Sequence, residues 1–289
     1  EPSAPGAPAA SHGQLSGSRR SSGFGHHLRS TSRLALPVML SGAGLVLMLT
    51  VDTAIVGHLP SADRQLAAFG GALIPVAILQ TAAIGLLIGV IVRAAQLEGP
   101  GKPEACGQVW RLGLILALVL GAIYAVLLAN GPVILGDILR QPPEVASDGG
   151  TVLSILGWGM PGILAFVACA HFLEGINRAV PPMLLMLGGN VLNAILAYGL
   201  GAGAFGFPAQ GVVGVAIATT VVRWAMGLGA VLLLLLAVDR RRYGITLRHT
   251  EGWTGLVTLL RLGVPLAAAV GLQSACFKMN VNIFGWLGP

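Results

Sequence analysis

From residue 34 onward, long apolar runs alternate with short polar connections, and the runs fall at about 34–59, 66–92, 109–130, 151–174, 181–204, 211–237 and 257–287. A hydrocarbon core of about 30 Å takes about 20 apolar residues per helical crossing, so each run is long enough for one span. The pattern predicts seven transmembrane helices. A membrane barrel would instead show segments of about ten residues alternating apolar and polar, and these runs are continuous. The first run is longer than the apolar region of a secretory signal, about 7 to 15 residues, and Asp52 interrupts it. Pro37, Pro75, Pro161 and Pro265 fall within spans, where each removes a backbone hydrogen bond and permits a kink.

Composition agrees. Of 289 residues 55% are hydrophobic and 10% charged, and the mean hydropathy is +0.81. A soluble domain carries about 25% charged residues, so that class is excluded. The 42 glycines suit helices that approach closely in lipid. Cys106, Cys169 and Cys276 are too few for a disulfide framework and read as packing residues, Cys106 in a polar connection and the others in apolar runs. No Cys/His spacing suggests a metal and no Gly-rich phosphate loop follows a strand, so no cofactor is expected. The formal charge of +6 is explained by where the basic residues fall. Arg19, Arg20, Arg29 and Arg33, then Arg93, Lys102 and Arg111, then Arg178, then Arg240, Arg241, Arg242, Arg248 and Arg261 share one side, against Arg64 and Arg140 on the other. That bias places the N-terminus in the cytoplasm of a plasma or inner-membrane protein and leaves no need for a nucleic-acid partner.

Residues 1–32 carry Pro, Ser, Gly and Ala without apolar period and are expected to form a disordered cytoplasmic tail. Residues 33–237 form a six-helix lobe, 238–256 a cytoplasmic inter-lobe loop, and 257–289 the first helix of a second lobe. Arg33, Leu34 and Pro37 recur at the same spacing as Arg261, Leu262 and Pro265, and Ile55, Gly57 and Leu59 as Ile283, Gly285 and Leu287. Six intervening crossings make the two lobes parallel repeats about an axis along the membrane normal. On that reading the chain is a fragment in which the second lobe has barely begun.

Polar groups inside spans cost at least about 2.5 kcal/mol when charged at a helix centre, so each calls for a reason. Asp52 is about 27 Å along the first span from Leu34, in its outer third. Facing a partly dry cavity it could exchange a proton or a sodium ion, as an ion-coupled carrier requires; the plainer reading is an interfacial carboxylate touching headgroups and water. Asn193 is deep enough to reach Asp52 or to coordinate a cation, or else it is glue between helices. Asn190 shares its helical face and reads more simply as glue. Gln80 and Gln273 could line a polar cavity, although packing hydrogen bonds are the commoner role. Arg223 lies too deep to snorkel, unlike Lys278, and needs a carboxylate, backbone carbonyls or water.

The segment LALPVMLSGAGLVLMLTVDTAIVGHL (34–59) closely resembles the first helix of the multidrug and toxic compound extrusion family, with Pro37, Asp52 and Gly57 in the family's spacing. GLLIGVIVRAAQLEGPG (85–101), FLEGINRAVPPMLLMLGGNVLNAILAYGL (172–200), GVVGVAIATTVVRW (211–224) and RLGVPLAAAVGLQSACF (261–277) are similar to it in the same order. The resemblance implies an all-α polytopic transporter, V-shaped when complete, with twelve helices in two six-helix lobes. It implies export of cationic or amphipathic small molecules in exchange for H⁺ or Na⁺, by a monomer in the bilayer. It further implies that Asp52 is the ion-coupling carboxylate, that Asn193 stands near it, and that the first helix bends at Pro37. Two positions depart from the family pattern. Gln273 stands where many similar members have Glu, and Ala197 where some have Asp, which shifts coupling onto Asp52.

The rival class is a flippase of related lobed architecture moving a lipid-linked substrate, which would need several cations facing the cavity. An intramembrane enzyme would need paired acidic motifs, metal ligands or a Ser/Lys dyad, and none stands out. A fragment that does not transport is the third reading.

Overall fold

The computed structural model describes residues 24–99, 103–245 and 254–269, with side chains from Ala35 onward. Helix α1 (Phe24–Gly57) runs through Pro37, and α2 (Ala62–Glu98) runs through Pro75. After α3 (Pro103–Leu128) come a short turn, Gly131–Val133, and a wide π turn, Ile134–Ile138. Helices α4 (Pro143–Trp158), α5 (Met160–Gly175), α6 (Val180–Ala202) and α7 (Gly211–Ala237) follow. The last described helix is α8 (Thr254–Ala269). Among the described residues five helices are long and apolar enough to cross a membrane, and the bent pair α4/α5 counts as a sixth when taken as one broken span.

Three boundaries differ from the sequence reading. Residues 24–32, expected as tail, continue α1, because no Pro or Gly follows Gly25 there and a formed span propagates helix at one hydrogen bond per residue. The span expected at 151–174 begins at Pro143 and breaks after Trp158, where the axis turns by 41°. Pro161 has no N–H to give the preceding turn, so that turn tightens and the Gly159 N–H donates to Leu156 O at 3.1 Å. Cys106, assigned to a polar connection, lies buried inside α3. Of the seventh predicted span, residues 270–287 lie outside the described residues, as do Gln273, Cys276 and Lys278.

Helix α5 is the axis of the lobe. It is buried at every position except His171 and Glu174, as expected of a helix apolar all round. Helices α2, α3 and α7 pack against it, and α1 reaches the core through α6. Close approach is set by glycine. A Cβ at Gly121 on α3 would lie 2.5 Å from Pro161 Cα, and one at Gly162 would lie 2.8 Å from the backbone of Arg223. Outward-facing Met39, Val126 and Leu236 are each about 70% exposed, an apolar exterior that fits lipid and not water. The protein is a multi-pass membrane protein.

The start of the expected inter-lobe loop is fastened to the lobe. Gly107 N–H donates to Tyr243 O at 2.8 Å, Tyr243 OH to Glu98 Oε1 at 3.2 Å, and Arg111 Nη1 to the carbonyls of Gly244 and Ile245.

Candidate functional site: a buried carboxylate on an apolar cavity

Inside the lobe a cavity of about 310 Å³ opens between α1, α2, α4 and α7. Its walls are mostly apolar, from residues such as Leu45, Phe69 and Val76, with Asp52, Gln80 and Arg223 among the polar exceptions. Asp52 is 2% exposed. It is therefore no interfacial carboxylate in contact with headgroups.

Two neighbouring helices hold it on α1. Asn193 Nδ2 on α6 donates to Oδ1 at 2.6 Å, and Thr219 Oγ1 on α7 donates to Oδ2 at 2.8 Å. The Thr219 hydroxyl shares its proton with Val215 O at 3.0 Å, one turn back along its own helix. Asn193 is fully buried and its Oδ1 has no partner. A carboxylate so placed on a cavity wall is an acceptor able to take up a proton or a hard cation.

Arg223, one turn beyond Thr219 on the same face of α7, is 8% exposed. Its Nη1 reaches Leu156 O at 3.5 Å, so the carbonyl expected as one of its possible partners is supplied by the α4/α5 break. Neighbours on α7 serve the same break. Thr220 Oγ1 donates to Ile155 O at 2.9 Å and Trp224 Nε1 to Trp158 O at 2.8 Å. Carbonyls next to a proline break in lipid have no water to turn to, and α7 supplies their donors.

Asp52, Asn193, Gln80 and Arg223 thus come together, the first two by direct contact and the last two across the cavity. Asn190 does not join them. It faces the α1/α6 contact, where its Nδ2 donates to Met186 O at 2.9 Å and a Cβ at Gly44 would lie 3.3 Å from it. A three-residue step turns the side chain by about 60° round the helix, enough to carry it off the Asp52 carboxylate. Pro37 is buried within α1. Thr219 was not singled out from sequence. The available signal was its one-turn spacing from Arg223, which a run of threonines in a span does not make conspicuous.

Residues 37–199 match the MatE family model, more than half of the chain. The chain belongs to the MatE family. It is 30% identical over 269 residues to a probable multidrug resistance protein NorM of Xanthomonas axonopodis pv. citri, covering 92% of this chain and 58% of that one. Among solved structures, a MOP superfamily transporter from Pyrococcus furiosus superposes with a TM-score of 0.72 at 25% identity, covering 87% of this chain and 53% of the other. The eukaryotic MATE transporter AtDTX14 superposes at 0.76 with 20% identity, covering 90% and 57%, a likeness of fold. The chain spans a little over half the length of the curated relatives it matches. Within the MatE match lie α1 from Pro37 and most of α6, and so Asp52 and Asn193, whereas Thr219 and Arg223 follow it.

Proposed function

We propose that the protein works as a secondary antiporter, exporting cationic or amphipathic compounds in exchange for H⁺ or Na⁺, with its N-terminus in the cytoplasm. The observation that carries this reading is the burial of Asp52 in the wall of an apolar cavity, with both oxygens held by α6 and α7. Such a carboxylate is stable in lipid when it is neutralised by a proton or a cation, or when it is paired, and exchanging those states is what coupling demands. Ion and cargo would compete for one cavity, each favouring a different conformation. Bending of α1 at Pro37 would transmit the exchange, since Pro37 and Asp52 share that helix.

The flippase reading is weaker, because among the described residues lining the cavity Arg223 is the single cation. Multidrug resistance proteins among the relatives also favour transport over catalysis. The test places the purified protein in proteoliposomes loaded with a fluorescent organic cation. An imposed proton or sodium gradient should drive dye movement that an ionophore abolishes. Dye movement indifferent to both gradients overturns the proposal.

A further inference from the structure

Arg223 has more hydrogen-bonding capacity than the protein meets. A guanidinium offers five N–H donors. Here Nη1 makes one long bond, 3.5 Å to Leu156 O, and the buried Nε has no partner. Asp52 lines the same cavity, but both its oxygens are engaged by Asn193 and Thr219. No N···O distance of 4.0 Å or less joins the two charges among the described ion pairs. Nor can the arginine withdraw. A Cβ at Gly159 would lie 3.0 Å from its Cδ, and one at Gly162 would lie 2.8 Å from its backbone, so the stem is seated against the α4/α5 break. It stands about 18 Å along α7 from Gly211, beyond the reach of either interface.

On the α2 wall Gln80 and Thr81 face the same space, and neither hydrogen-bonds another described residue. The cavity therefore holds one fixed carboxylate, one fixed guanidinium and spare donors, set in an otherwise apolar wall. Resting on the antiport reading, we propose that the Arg223 end is an oxyanion subsite. The cargo is then an amphipathic molecule bearing a carboxylate or comparable oxyanion beside its basic nitrogen, in preference to a simple organic cation. Charge balance supports it. Asp52 and Arg223 cancel, so a simple cation leaves one uncompensated positive charge in a low-dielectric space, whereas a zwitterion leaves none. The oxyanion accepts from the Nη groups of Arg223, with Gln80 and Thr81 close by, and the basic nitrogen meets Asp52.

The experiment uses two dyes that share one ring system, rhodamine 123, a cationic methyl ester, and rhodamine 110, its free acid. Each is titrated by fluorescence anisotropy with the purified protein in nanodiscs. The wild type should bind the acid about tenfold more tightly than the ester. Arg223→Gln should remove that preference by weakening acid binding alone, while Arg223→Lys, which keeps the charge and loses the fork, should retain part of it. Equal or tighter binding of the ester by the wild type overturns the subsite. So does binding of neither dye, or an equal loss of both in Arg223→Gln with no partial rescue by lysine. Gradient-driven ester transport without acid preference would sink the subsite and leave antiport standing, and acid preference without gradient-driven transport would do the reverse.

Discussion

Replacing Asp52 by Asn or by Ala separates coupling from packing, because the two changes treat its hydrogen bonds differently. In the wild type Oδ1 accepts from Asn193 Nδ2 at 2.6 Å and Oδ2 from Thr219 Oγ1 at 2.8 Å. Asparagine keeps both contacts with one donor reversed. Its oxygen accepts from Asn193, its amide donates to Thr219 Oγ1, and the Thr219 proton goes wholly to Val215 O, already 3.0 Å away. Each bond falls from the charge-assisted range of about 1.5–3 kcal/mol to the neutral range of about 0.5–1.5 kcal/mol. Against that, a buried charge that costs several kcal/mol of desolvation is gone. The same change leaves the Arg223 guanidinium on the cavity wall without its compensating charge, so Asp52→Asn should unfold in detergent at a temperature close to that of the wild type. Alanine leaves Asn193, whose Oδ1 already lacks a partner, with its amide unpartnered too, at about 1–3 kcal/mol, and should unfold earlier. Both variants lack an ionisable group and should lose ion-driven efflux in proteoliposomes, while Asp52→Asn inserts and folds. Gradient-dependent efflux retained by Asp52→Asn would refute coupling through this residue, and an Asn variant as unstable as the Ala variant would refute the network.

Two further outcomes follow from packing and topology. Gly89→Leu should lower the unfolding temperature, because its Cβ would lie 2.6 Å from Leu259 O on α8, an overpacking that costs about 1–3 kcal/mol; an unchanged melting curve would mean that α8 does not rest on α2. A single cysteine at Arg241 should resist a membrane-impermeant maleimide applied outside the cell and one at Asp137 should react, the reverse pattern refuting a cytoplasmic N-terminus.

The spans of residues 34–237, and the presence of Asp52 and Asn193 as polar groups inside them, were legible in the sequence for one physical reason. Lipid penalises each charged or unpaired polar group so heavily that a helical span announces itself by its length, and an acid within it stands out. Periodicity could not go further. A run such as Met160–Gly175 is apolar all round whether it faces lipid or core, so that α5 is the axis of the lobe emerged only when α2, α3 and α7 closed on it. The break at Gly159 likewise needed the fold. Pro37, Pro75 and Pro161 all lie within predicted spans, and α1 and α2 continue through Pro37 and Pro75, whereas the chain turns by 41° just before Pro161. There the side chains of Thr220, Arg223 and Trp224 on α7 supply donors for the carbonyls beside the break. Partnership at the site was decided the same way. Asn190 and Asn193 share a helix face in sequence, yet only Asn193 meets Asp52, because Asn190 lies against α1 at Gly44 and its Nδ2 donates to Met186 O of its own helix. Thr219 became a partner because α7 crosses the lobe beside α1. Local chemistry names the residues that lipid will not tolerate unpaired, and the crossing of helices distant in sequence decides which of them meet.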